Sequence, residues 1–249
     1  MKKIKYPDVK FLVESEKDIS IYFVFEKEAE VFNKWSIIEK YFFKKHPKIK
    51  SLKRTKEKKA KEKFLKNYVI DHYKFRNILI KERVKETEER WKKVEQKFFS
   101  LVNGLFQKHP WPRGNYKAFV TIWSIFPRDI RKKTFQFPYK GEGFKKVEAI
   151  IAHEMLHFIF YDYLFRYFPK YKKFQYSYSV WVLSEAFNEA IMTESEWKKI
   201  FPLRLPFYQE TAIVRKKIRE LRKNKKTVKE ILEKLLPFVI QKYTKLPSK

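Results

Sequence analysis

The stretch that most constrains this chain is His153-Glu154-Met155-Leu156-His157, set inside the apolar run Val147 to Phe168. An apolar run of that length reads as a buried helix. On a helix, residues four apart point the same way, so His153 and His157 can present two imidazoles to one metal ion. Glu154 sits on the same rim, where a carboxylate can take a proton from a metal-bound water. Two neutral nitrogens suit Zn2+, and a coordination position left for water suits catalysis rather than structure.

The pentapeptide needs one more protein ligand. No histidine follows His157; the other three are His46, His72 and His109, all upstream. The chain has no cysteine, so a thiolate ligand is excluded and a carboxylate must complete the set. The segment Trp181 to Glu194 reads as a second buried helix, with Val182, Ala186, Ala190 and Ile191 on its apolar face and the Ser-Tyr-Ser run before it as a start signal. Glu185 and Glu189 lie four apart on one face of it. From Phe174 to Trp197 there are four acids and no Lys or Arg, in a chain of formal net charge +30. An acidic, otherwise apolar helix in so basic a protein is what a cation site needs.

These residues resemble a family. H-E-x-x-H followed by a helix carrying Glu-x-x-x-Glu is similar to the gluzincin zinc metallopeptidases, the thermolysin-like group. Leu183-Ser-Glu185-Ala-Phe-Asn-Glu189 is similar to the L-[SN]-E-G-[LF]-A-E segment of the aminopeptidase and MA-like branches, with Ala186 in place of the usual Gly. The resemblance implies that Glu185 is the third zinc ligand, that Glu189 hydrogen-bonds a ligand imidazole of His153 or His157, and that Glu154 is the catalytic base. A competing alignment, Asn188-Glu189-Ala190-Ile191 on the thermolysin N-E-A-I segment, makes Glu189 the ligand. Glu185 is preferred because it leaves Glu189 as the acid one turn further on, whereas the alternative puts Thr193 there. The resemblance covers Val147 to Trp197. It implies a peptide or protein substrate and an oxyanion stabilised by a Tyr or His; Tyr161, Tyr163, Tyr167, Tyr171, Tyr176, Tyr178 and Tyr208 are the candidates, and spacing does not choose among them.

At 249 residues the chain can bury a sizeable core in one large domain or two small ones. The expected division is 1–110, a strand pair and a basic helical region, and 111–249, a zincin-like domain with C-terminal helices. The expected fold class is α+β, helix-dominated, with a small antiparallel sheet next to the H-E-x-x-H helix. The lack of cysteine fits a reducing, cytoplasmic setting. No secretory leader is expected, because Asp8, Glu14, Glu16 and Asp18 interrupt any apolar core, and no stretch is a credible membrane span, since Ile150 to Phe168 contains His153, Glu154, His157, Asp162 and Arg166.

Charge is uneven. Residues 44–97 hold 21 basic and 8 acidic side chains, and 215–234 hold 10 and 3. That balance permits nucleic-acid or anionic-membrane association, although no motif for either accompanies it. Two other classes therefore stand beside the peptidase: a nucleic-acid or anionic-surface binder whose zinc is structural, and an inactive peptidase-like scaffold. His46 and His72 lie in basic surroundings and His109 in a loop, so all three are expected to be structural or surface residues rather than catalytic ones.

In the rest of the chain, Val9 to Glu14 and Ile19 to Phe25 alternate and read as two short strands around Ser15-Glu-Lys-Asp18. Glu28 to Lys45 reads as a helix with Ala29, Phe32, Ile37 and Phe42 inward. Tyr68 to Phe106 reads as one or two long helices, and Tyr116 to Ser124 and Thr134 to Tyr139 as strands, either an edge for an extended peptide or a core hairpin. Pro202 and Pro206 flank a loop. Glu210 to Asn224 and Thr227 to Lys242 read as terminal helices.

Overall fold

Burial at Asp18, Tyr22, Glu26 and Ala29 marks one face of a helix near the start of the chain. In the computed structural model, which describes residues 5–32, 34–202 and 208–244, only the first expected strand forms, β1 (Val9–Leu12), and a helix α1 (Ser15–Phe32) replaces the second. Ile19, Ile21, Phe23 and Phe25 alternate like a strand, but two of the buried positions are acids, which disguises the helical period. The side chain of Phe32 and the whole of Pro206 lie outside the described residues.

After α1 come α2 (Trp35–Ile38), which runs into a π-helical turn, a 3-10 segment Pro47–Arg54, and the long helices α3 (Lys58–Phe75) and α4 (Asn77–Leu105). The strands β2 (Tyr116–Thr121), β3 (Arg128–Asp129) and β4 (Thr134–Pro138) and a short helix α5 (Gly141–Lys145) follow. The remaining helices are α6 (Val147–Tyr167), α7 (Tyr178–Ile191), α8 (Ser195–Ile200), α9 (Ala212–Lys223) and α10 (Val228–Thr244). The fold is α+β and helix-dominated, with one small mixed sheet.

That sheet has the order β1-β2-β4-β3. β1 pairs with β2 in parallel, Val9 opposite Tyr116, and β2 pairs with β4 in parallel, Lys117 opposite Thr134; only β3 runs antiparallel to β4. The expected antiparallel sheet is thus corrected. Four helices lie between β1 and β2 and supply the crossover that a parallel pair requires. Ala118, Phe119, Val120 and Thr121 are buried in succession, the continuous pattern of a parallel strand covered on both faces.

The chain divides into two compact units, each built from non-adjacent segments. The sheet unit comprises residues 9–90 and 115–147; the helical unit comprises the described residues of 1–8, 91–114 and 148–248. The boundary expected at residue 110 differs from this division, because β1 draws the N-terminal segment onto β2 while the second half of α4 packs with the later helices.

At the heart of the sheet unit Asp18 is fully buried. Its carboxylate accepts from Thr121 Oγ1 (2.6 Å), Tyr73 Oη (2.8 Å), Ile122 N–H (2.9 Å) and Gln136 Nε2 (3.1 Å). Burial pushes its pKa up to about 6, against the downward pull of those four donors. The Trp123 indole N–H donates to the Asp18 carbonyl, and Trp123 packs against Phe42, which meets Tyr22 edge-on.

In the helical unit Phe98 is the hub of an aromatic core, touching Trp91, Trp197 and Phe201. Phe187 of α7 packs on Phe160 of α6 and on Phe106. α10 turns Ile231, Leu235, Val239 and Tyr243 inward, and α9 buries Val214 and Ile218 and leaves Ile213 exposed. Among the described residues no helix is long and apolar enough to cross a membrane.

Candidate metal centre

α6 is apolar on almost every side, which buries it and takes its polar residues with it: His153, Glu154 and His157 are all buried. α7 begins where Ser177 caps it, its hydroxyl accepting from the Val180 N–H (3.3 Å). From Val182 to Ile191 every α7 side chain is buried, Glu185, Asn188 and Glu189 included. Buried charge needs a partner, and the partners of the two acids differ.

Glu185 faces the imidazoles. His153 Nε2 lies 3.1 Å from Glu185 Oε2, His157 Nε2 lies 3.5 Å from Glu185 Oε1, and the two Nε2 atoms are 3.1 Å apart. The rings stand nearly perpendicular, at 82°. A ligand atom from each of His153, Glu154 and His157 falls within 4.8 Å of the others. The spacing suits a tetrahedral cation. With metal–ligand bonds of about 2.0–2.1 Å, neighbouring ligand atoms of a tetrahedron lie roughly 3.3–3.4 Å apart. The three separations given above bracket that value. Three groups able to offer lone pairs have been brought to one point, where they also hydrogen-bond one another.

Glu189 turns elsewhere. Its Oε1 accepts from the Tyr208 N–H (3.0 Å), and its Oε2 takes the Thr211 hydroxyl and the Arg215 guanidinium. In this structure the Glu189 carboxylate thus meets Tyr208, Thr211 and Arg215 rather than the imidazole of His153 or His157 that the resemblance implies. An arginine from α9 already meets its charge. Arg219 and Arg222 continue the same contact, donating to Thr193 Oγ1 (3.0 Å) and to Glu194 (2.8 and 3.0 Å).

The residue that sequence reasoning passed over is Asn188. Its Nδ2 donates to the His153 carbonyl at 2.9 Å, pinning α7 to the backbone of α6 at the first histidine of the pair. Its only signal was its place between the two acids. Among the tyrosines, Tyr161 is one turn beyond His157, with ring centroids 6.5 Å apart and its hydroxyl 3.3 Å from Ser184 Oγ. Tyr163 and Tyr167 pack against His109 instead. His109 Nε2 pairs with Asp162 Oδ2 at 2.8 Å, a contact that ties the loop after α4 to α6. His46 and His72 belong to the sheet unit.

Comparison with protein-family models, with curated proteins and with solved structures finds no match to this chain, so the meaning of the centre rests on its own geometry.

Proposed function

We propose that the chain is a zinc-dependent metallopeptidase. The observation that carries this reading is the convergence of His153 Nε2, His157 Nε2 and the Glu185 carboxylate at tetrahedral separations in a buried setting. In this reading those three side chains hold the metal. Zinc, when bound, supplies Lewis acidity and makes a water nucleophilic near neutral pH. Glu154, next to His153, receives the proton of the attacking water and passes it to the leaving amine. Asn188 holds the first ligand's backbone in place and Arg215 keeps Glu189 away from the metal. A peptide bond as the target, and a cytoplasmic setting, are supported by the gluzincin-like spacing of Glu154 and Glu185 and by the absence of cysteine.

The test is elemental analysis of the purified chain beside Glu185→Ala and Glu189→Ala, followed by turnover of a peptide library with Glu154→Gln as control. The reading expects one zinc per chain, lost in Glu185→Ala and kept in Glu189→Ala, and cleavage that Glu154→Gln abolishes. A chain that binds no zinc sinks the proposal. Zinc with no cleavage of any peptide leaves a scaffold in place of the enzyme.

A further inference from the structure

The helices α3 and α4 are joined by one residue, Arg76, whose N–H donates to the His72 carbonyl (3.2 Å) and whose carbonyl accepts from the Ile80 N–H (2.9 Å). Tyr73 and Ile80 fill the inner side of this joint. Two residues along a helix make a turn of about 200°, so Phe75, two after Tyr73, and Ile78, two before Ile80, point outward. Phe75 is 83% exposed and Ile78 74%, the two highest values among the large apolar side chains of the described residues, and Leu79 beside them is 38% exposed. A lone exposed hydrophobe is ordinary. The two most exposed ones, three residues apart, form a patch, and exposed apolar patches mark contact surfaces.

Cations surround the patch. Lys74 before it and Lys81 after it are exposed, and the Arg76 guanidinium lies over the Phe75 ring, 5.2 Å from its centre. From Lys58 to Arg83 there are nine basic and three acidic side chains. Leu79 also lines a cavity of about 580 Å³ whose charged walls are Arg83, Arg90, Lys140 and Lys145 against Glu86 and Glu142. All of these residues belong to the sheet unit.

We propose that the α3–α4 joint docks on an anionic phospholipid surface, with Phe75 and Ile78 entering the headgroup layer and Lys74, Arg76 and Lys81 meeting the lipid anions. Chemistry selects this occupant. A second copy of the chain would set the patch against itself and bring like charges together. Nucleic acid suits the cations and Phe75, but Ile78 and Leu79 offer a base no ring to stack on. A lipid surface uses both halves of the patch: apolar side chains enter the boundary between headgroups and acyl chains, and Lys and Arg hold the anionic headgroups. An arginine whose stem runs along an apolar ring while its head stays in the polar layer suits that boundary. The surface is independent of the metal centre, and its failure leaves the peptidase reading untouched.

The experiment is co-sedimentation of the full chain with vesicles of equal parts phosphatidylserine and phosphatidylcholine, and with vesicles of phosphatidylcholine alone. The proposal expects binding to the first that weakens as salt rises, and binding to the second weaker by at least about tenfold. Phe75→Ser and Ile78→Ser together should weaken binding to the anionic vesicles by at least about tenfold, with circular dichroism unchanged. Asp71→Asn, which removes an exposed acid one turn before Phe75, should strengthen it by up to about fivefold. The chain has no cysteine, so a single one introduced can carry an environment-sensitive dye. The dye on Ile78→Cys should shift to shorter wavelength on the anionic vesicles, and the dye on Val31→Cys should not. Val31 is 65% exposed and lies about 20 Å along α1 from Asp18, the residue that Tyr73 touches. No binding to the anionic vesicles, equal binding to both kinds, unchanged binding in the double serine variant, or equal shifts at positions 31 and 78 overturn the proposal. If that variant instead loses self-association or oligonucleotide binding while vesicle binding stays, the patch belongs to a second copy or to nucleic acid, and the proposal falls as well.

Discussion

His153 and His157 on one side, both buried, and His46 and the half-buried His72 on the other are two imidazole pairs that the same residue type has turned to different ends. The first pair sits four residues apart on one helix, with Nε2 atoms 3.1 Å from each other and a carboxylate closing the triangle. The second joins two separate helical segments, with nitrogens already engaged by tyrosine hydroxyls and a carbonyl, and with arginine and lysine as neighbours. Nitrogens grouped with a carboxylate can hold a cation; rings buried among cations, with nitrogens already hydrogen-bonded, stay neutral. The comparison teaches that the charge around an imidazole, more than the imidazole itself, decides what it can hold.

The sharpest way to break the comparison is at Glu154. If the acid-flanked pair is a catalytic metal centre, Glu154→Gln should lower peptide turnover by about 10²–10⁴-fold with the metal retained. A change smaller than tenfold would make the His153–His157 pair structural. Next in size is Glu189→Ala. Its carboxylate is buried against Arg215, and breaking such a pair on one side costs about 3–5 kcal/mol. Denaturant unfolding should show that loss while metal content stays at the wild-type level. Chelation should destabilise wild type by an amount close to that, about 4 kcal/mol for a metal held at a thousand times its Kd. It should do nothing to Glu185→Ala.

The pH dependence separates the pairs in another way. An unfolded chain protonates His46 and His72 near 6.5, but the folded rings stay neutral down to about 4 and about 3. Their stabilising effect is therefore complete above 6.5 and is lost as pH falls through the folded values. Asp18 works in reverse: it keeps its proton up to about 6 when folded and loses it near 3.8 when unfolded, so its effect is present at low pH and lost as pH rises. Between pH 4 and 6 two groups favour protonation of the unfolded chain and one favours the folded chain. Together they lower stability on acidification by at most about 1.4 kcal/mol per pH unit, solvent at the half-buried His72 trimming its share. Urea unfolding at pH 4.5 and 5.5 should show this slope in wild type and a flattened one in His46→Phe. The smallest effect is expected at Ser177→Ala, where loss of the α7 cap should cost about 1 kcal/mol and leave the metal bound.

The acid-flanked pair was legible in the sequence because it is local. One helical turn separates His153 from His157, and Glu185 announces itself as an acid within an apolar run. Its supports were not legible. Glu189 meets Arg215 only because α9 folds back on α7, and nothing in the spacing of either residue foretells it. His46 and His72 looked like isolated surface histidines because the tyrosines that join them come from α3 and from the end of β4. The strand pattern misled twice, at α1, where Asp18 and Glu26 occupy inward positions, and in the sheet, where the direction of pairing depends on crossovers rather than on alternation.

The three arginines of α9 have a consequence for the order in which the chain is made. His153, His157 and Glu185 all leave the ribosome before Arg215, Arg219 and Arg222 do. During that interval Glu189 and Glu194 lack the guanidiniums that later pair with them. Two acids of the α7 region therefore stay without their ion-pair partners until α9 has been made and has folded back on them.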